Sequence, residues 1–97
     1  MIVRIVKMHF KGGHVETFLE IFHQHKNAIR GVKGCTHLEL LRDVQNPLSY
    51  TTLSYWENER DLDVYRNSAL FRDVWARVKV LFSGPTLALS LEKIEEL

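Results

Sequence analysis

Apolar and polar positions alternate along residues 2–10, with Ile2, Val6, Met8 and Phe10 on one side and Val3, Ile5, Lys7 and His9 on the other. A period of two predicts a strand, and two mostly apolar sides predict one that is covered on both faces. Lys11-Gly12-Gly13 interrupts it. From His14 to about Arg30 the period lengthens: Val15, Phe18, Leu19, Phe22 and Ile29 recur at steps of three and four, as on an amphipathic helix. Gly31 and Gly34 bracket its end. Residues 35–43 and 49–57 read as two further strands. Between them, Val44-Gln45-Asn46-Pro47 supplies the Asn-Pro chemistry of a turn.

Asn58 is placed to cap a helix that starts at Glu59, with Glu59 and Asp61 near the positive end of its dipole. Ser68 is a second cap. It opens a helix through Leu70, Phe71, Val74, Trp75, Val78, Leu81 and Phe82, which Gly84-Pro85 stops. Residues 86–94 then alternate Leu87, Leu89 and Leu91 against Ala88, Ser90 and Glu92, a last strand. Strand, helix, strand, strand, helix pair, strand is the split βαβ order of a ferredoxin-like α+β sandwich, an antiparallel sheet with helices on one face. The face left bare is apolar. Its burial at roughly 25 cal/mol per Å2 favours a homodimer in which two sheets meet.

Ninety-seven residues suit one domain over residues 1–97. A hydrophobic share of 45% with 26% charged residues argues against disorder. With a net charge of +1 and scattered Lys and Arg, no basic stripe suggests nucleic acid as a partner. No apolar run approaches the roughly 20 residues of a membrane span. Arg4 and Lys7 within the opening alternation mark a strand and not a signal-peptide core. The single Cys35 has no partner for an internal disulfide, so a reduced, cytoplasmic location is expected.

Several stretches carry a family resemblance: Val3-Arg4-Ile5-Val6-Lys7-Met8 followed by Lys11-Gly12-Gly13, then Gly34-Cys35-Thr36-His37-Leu38-Glu39-Leu40, Tyr55-Trp56-Glu57-Asn58-Glu59, and Tyr65-Arg66-Asn67-Ser68-Ala69-Leu70-Phe71. Across nearly its whole length the chain resembles the antibiotic biosynthesis monooxygenase family of the dimeric α+β barrel superfamily. The resemblance implies that fold and a homodimer. It leaves the reaction open among cofactor-free oxygenation of anthrones or quinols, haem degradation and isomerisation. Compared with the haem-degrading branch, the catalytic aromatic would fall on Tyr65, the proximal histidine on Trp75 and the first-strand Asn near Val6. Tryptophan cannot ligate iron, so that route is disfavoured and no cofactor is expected.

Tyr65 and Trp75 lie about one helical turn either side of Ser68 and Phe71. They either fill the core or stack on a planar substrate, with the Tyr65 hydroxyl orienting a phenol oxygen. Phe71 and Val78 would form pocket wall in both cases. His37, with Glu39 two residues on, is either a general base facing the pocket or an interface or surface residue. Arg4 is the odd member of an apolar strand face, and either holds an anionic substrate group or pairs with an acid such as Glu92. His23 and His25 are two apart on a helix and do not share a face, and no spacing makes a metal site. Cys35 has no cationic neighbour in sequence and reads as a buried thiol.

These residues suit a cofactor-independent monooxygenase of a small hydroxylated aromatic, quinol-like or anthrone-like, because such a substrate can reduce oxygen once deprotonated. The alternatives are a non-catalytic ligand-binding or stress-related dimer and an isomerase of a small oxygenated metabolite. A reactive pocket should place Tyr65 or His37 beside an open cavity. In a binding module or a vestigial member, side chains would fill the space.

Overall fold

Backbone hydrogen bonding in the computed structural model, which describes residues 1–97, gives four strands and three helices: β1 Ile2–His9, α1 Val15–Arg30, β2 Cys35–Arg42, β3 Ser49–Trp56, α2 Glu59–Arg66, α3 Ala69–Val78 and β4 Leu87–Glu92. The strands form one antiparallel sheet in the order β2-β3-β1-β4. This is the ferredoxin-like α+β arrangement, with the helices on one face. No helix is long and apolar enough to cross a membrane.

Both helix caps form as the sequence predicts. Asn58 Oδ1 accepts from the Asp61 amide at 2.8 Å, and Ser68 Oγ accepts from the Phe71 amide at 3.2 Å. Each satisfies a backbone donor that the first turn of a helix leaves unpaired. Gly34, at φ +88°, takes the left-handed turn that sends the chain from α1 into β2. A Cβ there would also collide with the Asp61 side chain, so the start of α2 is seated directly against this glycine.

The third helix departs from its expected length. It ends at Val78, tightens into a 3-10 turn over Lys79–Leu81, and leaves Phe82 extended. The periodicity carried on to Phe82 because Leu81 and Phe82 are both buried or half-buried, but sheet edge bonds compete successfully for this segment. Phe10 and Phe82 form an isolated bridge, the Lys11 amide donates to Leu81 O, and the Ser83 amide donates to His9 O. Phe82 then packs on Phe10 with ring centroids 5.5 Å apart.

Buried side chains form two groups. The larger joins Met8, Phe10, Phe18, Ile21, Tyr50, Val78 and Leu81, with the Phe10 and Phe18 rings stacked at 4.3 Å. The smaller joins Cys35, Trp56 and Leu62, with Tyr65 against it. On the other face of the sheet, Leu87, Leu89 and Leu91 are between 36% and 55% exposed, an apolar surface that no helix covers.

Candidate active-site cavity

Strand register decides where the space lies. On the helix side of the sheet, Met8 sits opposite Tyr50, and Ile2 opposite Trp56, so both ends are bulky. In the rows between them, the residues to either side of β1 are small. Val6 is flanked by Thr52 and Ala88, and Arg4 by Ser54 and Ser90. Over that low floor lies a cavity of about 520 Å3, within the size range of small-molecule sites.

Aromatic rings from α2, α3 and the end of β3 wall it. Tyr65 stacks on Trp56 with centroids 5.1 Å apart, Phe71 meets Tyr65 edge-on at 5.3 Å, and Trp75 lies parallel to Phe71 at 5.8 Å. Ser68 fixes this sequence of rings. Its hydroxyl donates to Tyr65 O at 2.6 Å while accepting from the Phe71 amide, so one side chain ties the end of α2 to the start of α3. Ser54 lends the floor a further anchor by accepting from Trp56 Nε1 at 2.9 Å in a buried bond. Burial, followed by the nearby Cys35, pushes the Tyr65 phenol up to about 12, so it is a neutral hydrogen-bond donor at ordinary pH.

Tyr65, Trp75, Phe71, Val78 and Arg4 all line this one cavity. Arg4 makes no pair with Glu92. Register sets it opposite Ser90, and its Nη1 donates to Ser90 Oγ at 3.0 Å. Burial, and then the Arg66 charge, lower its pKa from the usual arginine value.

His37 is not brought into the cavity. Between Cys35 and His37 the strand gains a residue relative to β3, so that Cys35 pairs with Trp56 and His37 with Tyr55. This bulge at Thr36 reverses the alternation. Cys35 and Leu38 then face the helices, and His37 and Glu39 face the bare side of the sheet. There His37 Nε2 lies 2.9 Å from Glu39 Oε2, and its ring packs 4.8 Å from that of Tyr55. Cys35 is buried, its thiol pushed up chiefly by burial, and it donates to His37 O. No three His, Cys, Asp or Glu side chains cluster as a metal site would need.

Arg66, Thr52, Ser54 and Ala88 also line the cavity, and the sequence pattern had not singled them out. The available signal was the pair of small residues between Tyr50 and Trp56 at alternate positions of one strand. A second depression along α2, beside Glu59, Arg60 and Asp63, offers about 700 Å3, but it lies open to solvent and Val64 is its one apolar lining residue.

Residues 1–77 match the profile of the family described as antibiotic biosynthesis monooxygenase. The chain belongs to that family. No curated protein matches it. Among solved structures, the antibiotic biosynthesis monooxygenase fold recurs in a conserved protein from Methanosarcina mazei Go1, at 21% identity and a TM-score of 0.90, covering 97% of this chain and 94% of that one. A candidate antibiotic biosynthesis monooxygenase from Bordetella bronchiseptica is 24% identical, with a TM-score of 0.85 and 97% of each chain covered. Another from Deinococcus radiodurans is 14% identical, with a TM-score of 0.90, covering 100% of this chain and 96% of that one. At such identities the likeness is one of fold. The antibiotic biosynthesis monooxygenase profile ends within α3, before β4 contributes Ala88 to the cavity floor.

Proposed function

We propose that the protein is a cofactor-independent monooxygenase of a small hydroxylated aromatic and works as a homodimer joined through the bare sheet face. The open cavity beside Tyr65 carries this reading, because a family member that had lost its ligand would have that space filled. A planar substrate slides between the Phe71-Trp75 wall and the floor of Thr52, Ser54 and Ala88. The neutral Tyr65 hydroxyl donates to the substrate's phenolate oxygen and so favours the ionised, electron-rich form. The cavity's charged lining consists of cations, Arg4 and Arg66, which favour the same form. The substrate proton leaves to solvent at the mouth.

For an anthrone-like methylene, one atom of O2 becomes the new carbonyl oxygen. The other leaves as water with the two displaced hydrogens, and every electron comes from the substrate. The protein's part is to orient the ring and exclude water. His37 lies on the sheet face where a partner would pack, which suits the interface role and not the base.

Oxygen uptake by purified, metal-stripped protein over a panel of quinols, anthrones and catechols tests the reading. Uptake above autoxidation that drops at least about tenfold in Tyr65→Phe but survives in His37→Ala is the expected result. A Tyr65→Phe protein as fast as the parent on every active substrate defeats it. Sedimentation of the parent beside Leu89→Arg tests the homodimer, which the charged residue should split.

A further inference from the structure

Two arginines in the cavity lining remain unexplained by the aromatic wall. Arg4 rises from the middle of β1 and Arg66 ends α2, and both line the same opening. Like charges brought together from separate elements repel, so such a pair is expected to have an anionic partner. The protein supplies little of one. Asp63 Oδ1 stands 3.7 Å from Arg66 Nη1, beyond hydrogen-bonding distance, on a side chain that is 58% exposed. Arg4 has only the neutral Ser90 hydroxyl as its bonded partner. Arg66 has a structural reason to be there, since a cation suits the last turn of a helix. Arg4 has none. It is a half-buried charge on an apolar strand face, attracted only at a distance by the Asp63 carboxylate and costly to keep without a closer one.

We infer that Arg4 and Arg66 grip a carboxylate on the substrate, so that the site takes hydroxylated aromatic acids in preference to neutral quinols or anthrones. A guanidinium presents paired donors that match the two oxygens of a carboxylate. With the acid group held by the two arginines, the ring enters the aromatic part of the cavity. Asp63 competes with the ligand for Arg66 and sets a limit on affinity. The inference rests on the cavity being the ligand site proposed above.

Calorimetric titration with a hydroxynaphthoate and with its neutral methyl ester tests it, using the parent, Arg4→Gln, Arg66→Gln and Asp63→Asn, each checked for fold by circular dichroism. The parent should bind the acid about tenfold or more tighter than the ester, a difference of about 1.4 kcal/mol. Either arginine substitution should erase most of that ratio by weakening the acid alone. Asp63→Asn should tighten the acid several-fold and leave the ester unchanged. Because Arg66 is half-exposed at the end of a helix, its variant should fold even if Arg4→Gln does not. Equal affinities in the parent, a ratio preserved in Arg66→Gln, or no saturable binding of either compound overturns the inference. Parallel oxygen-uptake runs separate the two readings. Turnover of neutral quinols with no preference for acids leaves the monooxygenase standing and removes the carboxylate grip. Selective binding of acids without turnover does the reverse.

Discussion

The two ends of the helix–sheet interface use similar aromatic residues to opposite effect. At the end of β1, Phe10 is 1% exposed and touches Phe18, Tyr50 and Phe82, which close around it without leaving space. A few residues back along the same strand, Trp56, Tyr65, Phe71 and Trp75 enclose about 520 Å3. The rings are comparable and the floor beneath them differs. Met8 and Tyr50 rise to meet the rings at the filled end, whereas Thr52, Ser54 and Ala88 fall short of them at the hollow end. Emptiness here is a property of the small residues, and the aromatic residues only make it hospitable to a flat ligand.

The sharpest break in that contrast should come from Phe10→Ala, which removes a ring from a filled core and should cost about 3–5 kcal/mol in a urea melt. A ligand already bound to the cavity should lose little affinity while the protein remains folded. Next in size is a pH effect at the hollow end. Because the folded Tyr65 phenol is raised to about 12 from an ordinary value of 10, its stabilising contribution is complete below pH 10 and lost as the pH climbs through 12. The loss should reach about 2–3 kcal/mol. Denaturant melts across that alkaline range should show the fall in the parent and a smaller one in Tyr65→Phe.

Phe71→Ala should cost less, about 1–2 kcal/mol, since it widens an existing space and removes a half-buried ring. Its larger effect should be on ligand affinity, read by calorimetry. The smallest change in stability should come from Ala88→Leu, within about 0.5 kcal/mol, because the added methyl groups enter open volume. It should nevertheless abolish ligand binding. If Ala88→Leu binds as well as the parent, the floor does not control the space.

Much of this was legible in the sequence. Two caps, Asn58 and Ser68, could be placed from residue type alone because each precedes an apolar-periodic run, and local chemistry suffices to form them. The strand order followed from the order of periods. His37 was harder to place, because its direction depends on one extra residue at Thr36 with no glycine to mark it. A one-residue bulge reverses everything after it. Thr52 and Ser54 were overlooked for a related reason. Small polar residues in one strand look ordinary until register brings Ala88 and Ser90 alongside them. Arg66 drew no reading of its own, because its approach to Arg4 emerges only once α2 is laid over β1.

Trp56 and Trp75 are the chain's two tryptophans, and both face the cavity. Its tryptophan emission, excited beyond the tyrosine absorption, therefore originates at the candidate site alone. Trp56, 1% exposed and stacked on Tyr65, should emit at shorter wavelength than the half-buried Trp75. Arrival of a ligand against Trp75 should thus be visible as a spectral change in unlabelled protein, and the molecule carries its own optical gauge of occupancy.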